Sequence, residues 1–150
     1  MTLLKTRNDD TLVLALGSNL GDRGEYINRA LDALEEAFGH PINISQIIEN
    51  QAVGFDGPDF LNCIVEYGGV RCHPHEVLEK CKEIERRLGR TDVPEYDSCG
   101  CRIYHSRCID IDILFYGNRV VDTPDLKIPH PGVYTRSYLQ TLLSQLMISF

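Results

Sequence analysis

The chain has 150 residues, of which 43% are hydrophobic and 25% charged, a size and balance that predict one folded domain over 1–150 and exclude disordered and fibrous classes. A net charge of −7 argues against loose electrostatic binding to nucleic acid or an anionic membrane. Met1 to Asp10 holds no apolar run, so no signal peptide or membrane anchor is expected there, and the six cysteines are expected to be reduced thiols in the cytoplasm.

Thr11 to Leu16 is a short aliphatic, β-branched run that stops at Gly17-Ser18-Asn19, the pattern of a buried strand entering a turn. A helix follows, with Asp22 as N-cap, Glu25 three residues on, and Ile27, Ala30, Leu31, Leu34, Ala37 and Phe38 on one face until Gly39 and Pro41 end it. Ile42–Glu49 reads as a second strand and Phe60–Val70 as a third, separated by a glycine- and proline-bearing loop around residues 54–58. Pro74 opens a second helix whose face carries Val77, Leu78, Cys81, Ile84 and Leu88 before Gly89 closes it. Glu85 falls inside that apolar arc, where a lone carboxylate is costly, so it needs a partner.

Residues 90–106 lack apolar periodicity and are longer than most connections, so they are expected to form a functional loop or lid. Ile109–Tyr116 alternates, with Ile109, Ile111 and Ile113 facing one way and Asp110 and Asp112 the other. Gly117-Asn118 reads as a hairpin turn into a strand over Arg119–Asp122, and a final helix carries Leu139, Leu142, Leu143 and Leu146. The order βαββαββα predicts an α+β sandwich, helices packed on a largely antiparallel sheet.

Two carboxylates projecting together from one strand, Asp110 and Asp112, form a candidate hard-cation site, and Mg²⁺ suits such a pair when phosphate oxygens complete its octahedron. A solvated sheet face is the commoner reason for a single D-x-D. Residues 80–136 nevertheless hold 10 basic side chains against 9 acidic, while 1–79 hold 5 against 13. Arg90, Arg102, Arg107, Lys127, His130 and Arg136 could together neutralise a triphosphate. Pro129-His130-Pro131 fixes an imidazole at a rigid turn. Phe60 and Asn62 share a strand face and pair a flat ring with an amide, which suits a planar heterocycle, although a core Phe beside a loop-tying Asn is the plainer explanation. Cys99, Cys101, His105 and Cys108 offer zinc-ligand types, but C-x-C lacks the usual knuckle spacing. Residues 15–22 could bind an anion at a helix N-terminus, yet they lack the dinucleotide and P-loop fingerprints and read as a structural turn.

Taken together, ALGSNLGDR (15–23), PDFLNC (58–63), IERRLGR (84–90), RCIDIDILFYG (107–117) and IPHPGVYTR (128–136) resemble the 6-hydroxymethyl-7,8-dihydropterin pyrophosphokinase family in order and spacing. The resemblance implies a ferredoxin-like α+β fold and Mg²⁺-dependent transfer of pyrophosphate from ATP to the pterin hydroxymethyl group, releasing AMP, in folate biosynthesis. By the same matching, Asp110 and Asp112 would bind Mg²⁺, two ions with ATP present, and act in catalysis with Arg90 and Arg107. Phe60 and Tyr138 would sandwich the pterin, Asn62 would hydrogen-bond its edge, and Asn50, Gln51 and Val53 would complete its wall. Glu85, Arg107, Ile113, His130 and Arg136 would form the nucleotide site. The family's usual tryptophan-glycine-proline-arginine run reads Tyr104-His105-Ser106-Arg107 here, which bears on the lid. No nucleic acid, membrane or obligate protein partner is implied. The rival readings are a non-catalytic pterin- or nucleotide-binding relative and a zinc-binding interaction module.

Overall fold

A computed structural model of the chain describes residues 8–52, 57–90, 95–96, 98–100, 102–103 and 108–148. The first strand, β1 (Leu12–Ser18), is buried along its whole length because it runs at the centre of a sheet covered on both faces. Helix α1 (Arg23–Phe38) begins where Asp22 accepts the backbone N–H of Glu25 at 3.2 Å, and it ends at Gly39, whose φ of 89° a side chain rarely tolerates. Strands β2 (Asn43–Ile44) and β3 (Ile48–Asn50) then lie along β4 (Phe60–Tyr67). Helix α2 (Pro74–Arg87) follows, with His73 as N-cap and proline in its first turn.

Two short strands, β5 (Glu95–Tyr96) and β6 (Arg102–Ile103), pair with each other before β7 (Asp110–Tyr116) returns to the main sheet beside β1. A small hairpin of β8 (Val121–Thr123) and β9 (Leu126–Ile128), a 3₁₀ turn at Pro131–Tyr134 and helix α3 (Ser137–Gln145) complete the described chain. The main sheet runs β2-β4-β1-β7, with β3 also on β4, and every pairing is antiparallel. Helices α1 and α2 connect strands that are not neighbours, which is the ferredoxin-like α+β arrangement.

The two faces of the sheet hold separate cores. Leu12, Leu14 and Leu16 of β1, with Val65, Ile111 and Ile113, meet Ile27, Ala30 and Leu34 of α1 and Val77, Cys81 and Ile84 of α2. Val13, Ile64, Leu114 and Phe115 meet Leu139, Leu142 and Leu143 of α3 on the opposite face. Each such buried aliphatic side chain contributes on the order of 2 kcal/mol. Cys63 and Cys81 lie in the first core, where burial pushes the Cys63 thiol up to about 12 and raises that of Cys81 as well, so both behave as inert apolar residues.

Three expectations need correction. Ile42–Glu49 is two strands rather than one, because three residues, 45–47, oppose two on β4 and form a bulge. The Ser45 hydroxyl accepts the Ile64 N–H at 2.8 Å there. Phe60–Val70 ends as a strand at Tyr67, ahead of Gly68 and Gly69. The segment Arg119–Asp122 does not return along β7. Gly117 turns against the backbone of Asp9, its N–H donates to Thr11 O at 2.7 Å, and the Arg119 guanidinium packs 4.0 Å from the Tyr116 ring centre. The outgoing chain is thereby held away from β7, and β8 finds its partner in β9. The observed order is therefore longer than βαββαββα. Among the described residues no helix is long and apolar enough to cross a membrane.

Candidate active site

Helix α3 covers only one end of its sheet face, and the other end is floored by small residues. Paired residues in an antiparallel ladder point to the same side. Ala15 therefore shares its face with Ile64 on β4 and Asp112 on β7, and Gly17 shares it with Asn62 on β4 and Asp110 on β7. Gly17 has to be glycine: a Cβ there would lie 2.8 Å from Asn62 Oδ1 and 3.3 Å from the Phe60 ring. Residues 15–18 thus belong to the central strand rather than to a turn. Read from the sequence, Gly17 starts a turn, although small residues two apart in a buried strand carry the signal of a floor.

On one side of this floor stand Phe60 and Asn62. Asn50 is paired opposite Phe60, and Asn62 Nδ2 donates to Asn50 Oδ1, while Asn50 Nδ2 donates to Gln51 O at 2.9 Å. Asn62 is 7% exposed, so its amide is fixed by strand and neighbour alike. The adjoining loop is tied down by Asn19 Nδ2, which donates to Pro58 O at 3.0 Å, and by Arg23, which donates to Asp59 O at 2.8 Å. Val53 lies outside the described residues.

On the other side stand Asp110 and Asp112. Arg90 Nη1 reaches Asp110 Oδ1 at 2.8 Å and Glu85 Oε2 at 2.5 Å, and the same Glu85 oxygen accepts the Ile111 N–H at 2.8 Å. The partner that the helical wheel demanded for Glu85 is therefore Arg90, with β7 as a second. Glu85 is 6% exposed, held between Arg90 on its own helix end and the backbone of β7. The Ile113 side chain is buried in the helix-facing core, on the opposite side of β7 from Asp112. Only its backbone could meet a ligand. Leu114 forms a bulge against Val13 and Leu14, and its carbonyl accepts the His130 N–H at 3.0 Å, which docks the turn after β9 onto β7.

His130 Nδ1 accepts the Gly132 N–H at 2.9 Å, so a neutral imidazole carries its proton on Nε2. Burial, helped by the charge of Arg136, holds the His130 pKa below its ordinary value against the opposing pull of Asp110. Gly132 leaves room for both side chains, since a Cβ there would sit 3.0 Å from Arg136 Cδ and from His130 Nδ1. Burial opposes the charge of Arg136, but its hydrogen bond to the Tyr138 hydroxyl at 3.4 Å and the fields of Asp112 and Asp110 outweigh that and raise its pKa. Burial raises the Tyr138 pKa too. His130, Arg136 and Tyr138 are thus gathered toward the carboxylate pair. Lys127 instead pairs with Asp122 on the β8–β9 hairpin. Arg107, His105, Cys101 and most of the expected lid lie outside the described residues.

The depressed His130 pKa has a stability consequence. As pH falls through the ordinary imidazole value of about 6.5, the unfolded chain takes up a proton that the folded site resists, so stability declines with falling pH. Replacing His130 with Gln should flatten that part of the profile, as denaturant titrations at pH 7.5 and 5.5 would read.

Among the described residues no group of three or more His, Cys, Asp or Glu side chains is arranged to hold a metal ion. The two aspartates still fit a hard cation, because Asp110 already engages a positive charge and a carboxylate pair leaves other positions to water and phosphate oxygens. A flat, uncharged wall and an ionic one on a single sheet face make a site for joining two unlike substrates, the layout of a group-transfer enzyme. A family model described as 7,8-dihydro-6-hydroxymethylpterin-pyrophosphokinase (HPPK) matches residues 13–148, and the chain belongs to this family of diphosphotransferases. A Porphyromonas gingivalis protein named 2-amino-4-hydroxy-6-hydroxymethyldihydropteridine pyrophosphokinase is 37% identical over 133 residues, 87% of this chain and 86% of its own. An Aquifex aeolicus protein of the same name is 38% identical over 129 residues, 85% of this chain and 74% of its own. The mitochondrial folate synthesis bifunctional protein of Pisum sativum is 36% identical over 140 residues, which are 93% of this chain and 25% of that longer protein.

Proposed function

We infer that this chain, as a single pyrophosphokinase domain over 1–150 in the cytoplasm, transfers pyrophosphate from ATP to the hydroxymethyl group of 6-hydroxymethyl-7,8-dihydropterin and releases AMP, as a step of folate synthesis. The observation that carries this reading is the row Asn62–Gly17–Asp110, which sets an amide for a heterocycle and a carboxylate for a cation on one face. Asn62 would hydrogen-bond the pterin edge, with Phe60 and Tyr138 against its ring and Asn50, Gln51 and Val53 along its wall. Asp110 and Asp112 would hold Mg²⁺, two ions when ATP is bound, and such ions supply charge neutralisation at the transferring phosphates. His130, Arg136, Arg90 and Arg107 would bind and orient the phosphates. A reaction of this type depends on alignment and charge more than on a covalent nucleophile, and no phospho-enzyme is expected.

Incubation with ATP, Mg²⁺ and the reduced pterin should yield AMP and the pterin pyrophosphate. ADP as nucleotide product would overturn the assignment and place the chain among ordinary kinases. Within the same reading, Phe60→Ala should weaken pterin binding about tenfold or more through lost ring contact and leave nucleotide binding nearly unchanged. Calorimetry with each ligand separately checks this, and the reverse pattern would put the pterin elsewhere.

A further inference from the structure

Arg90 is held between two carboxylates that belong to different elements. Its Nη1 atom contacts Glu85 Oε2 at 2.5 Å on α2 and Asp110 Oδ1 at 2.8 Å on β7, with Ile109 O at 3.5 Å. The side chains are 12% exposed for Arg90, 7% for Glu85 and 21% for Asp110, so solvent is closest to the Asp110 end. Glu85 is fixed further by accepting the Ile111 N–H, from the residue between the two aspartates. The guanidinium therefore bridges one deep carboxylate that cannot move without disturbing β7 and one shallow carboxylate at the site.

We propose that Arg90 serves as a built-in counter-cation for Asp110, and that Glu85 is the positioning residue that retains the guanidinium when a divalent cation takes that carboxylate. The inference rests on the reading of Asp110 and Asp112 as a cation site. A metal ion arriving at Asp110 competes with an ion pair already made there. Without Glu85, displaced Arg90 would lose the deep carboxylate that holds it in a poorly solvated place, a costly change. With Glu85 in place, the bond at 2.5 Å persists while the bond at 2.8 Å is released. Arg90 then stays within reach of the site, its donors to Asp110 freed for anionic oxygens of a substrate. Glu85 and Asp110 thus divide one task. The shallow carboxylate exchanges partners and the deep one does not.

The test is direct binding of Mn²⁺, without nucleotide, to the intact protein and its variants, read by the enhancement of water-proton relaxation. Arg90→Gln should bind Mn²⁺ about tenfold more tightly than the unaltered chain, since the competing cation is gone. Glu85→Gln should bind it about tenfold more weakly while Arg90 is present, because the guanidinium then leans more heavily on Asp110. In the Arg90→Gln background the same Glu85→Gln change should cost no more than about threefold, the remainder being the simple loss of a nearby negative charge. Equal losses in both backgrounds, or no tightening in Arg90→Gln, would overturn the exchange. Arg90→Gln decides the matter alone should Glu85→Gln fail to fold. Mn²⁺ binding indifferent to Asp112→Asn would overturn the cation site itself and this proposal with it, whereas binding that needs Asp112 but ignores Arg90 would overturn the exchange only.

Discussion

Asp112→Asn should lower turnover by about three orders of magnitude or more while leaving the metal-free protein as stable as before, or slightly more so. On the proposed reading, a carboxylate that helps hold the cation would act when negative charge shifts toward departing AMP, so its loss would fall on the transition state. In the absence of metal, Asp110 and Asp112 face the same side of β7 only two residues apart, and the repulsion of like charges so placed offsets the attraction of Asp112 for Arg136. Asp110→Asn should lose comparable activity but should also cost stability, because it removes one partner of Arg90. Steady-state rates together with denaturant unfolding of both variants check the contrast. An Asp112→Asn protein that unfolds, or that keeps near-full Mg²⁺-dependent activity, would make the pair structural.

Glu85→Ala should cost about 3 kcal/mol of stability, among the largest effects of any single polar substitution in the chain. The change deletes the deep partner of Arg90 and the acceptor of the Ile111 N–H at once, and it leaves a cavity between α2 and β7. Turnover should fall with stability because Arg90 loses its anchor. Urea unfolding measures the first effect, and a loss below about 1 kcal/mol would mean that water satisfies both groups and the carboxylate bears little of the load.

The alternation of Ile109–Tyr116 and the helical face of Ile27, Ala30 and Leu34 were legible in the sequence because periodicity reports which side is buried. Glu85 was legible as a residue in need of a partner, and the family resemblance set Arg90 and Asp110 among the site residues. The bonds among them were not legible, since Arg90 lies five residues from Glu85 and 20 from Asp110. The bulges at 45–47 and Leu114 escaped for the same reason: a strand's own sequence does not show how many residues oppose it. The return of Arg119–Asp122 was misjudged because Gly117-Asn118 is a good turn whose exit is set by packing against Asp9, far away in the chain. Gly17 as part of the site was not legible, because a glycine before Ser18-Asn19 reads as the start of a turn, and only its two cross-strand neighbours reveal that it clears space.

The row across Gly17 also works as a ruler. Asn62 and Asp110 are each one strand away from the same glycine, on opposite sides, so their backbones are separated by two strand spacings, on the order of 10 Å. That interval is fixed by peptide hydrogen bonds in the most deeply buried part of the sheet. Loops around the sheet can drift in sequence, but they do not reset the distance between that amide and that carboxylate. On the proposed reading, the alignment of the two substrates is built into the pleated backbone itself.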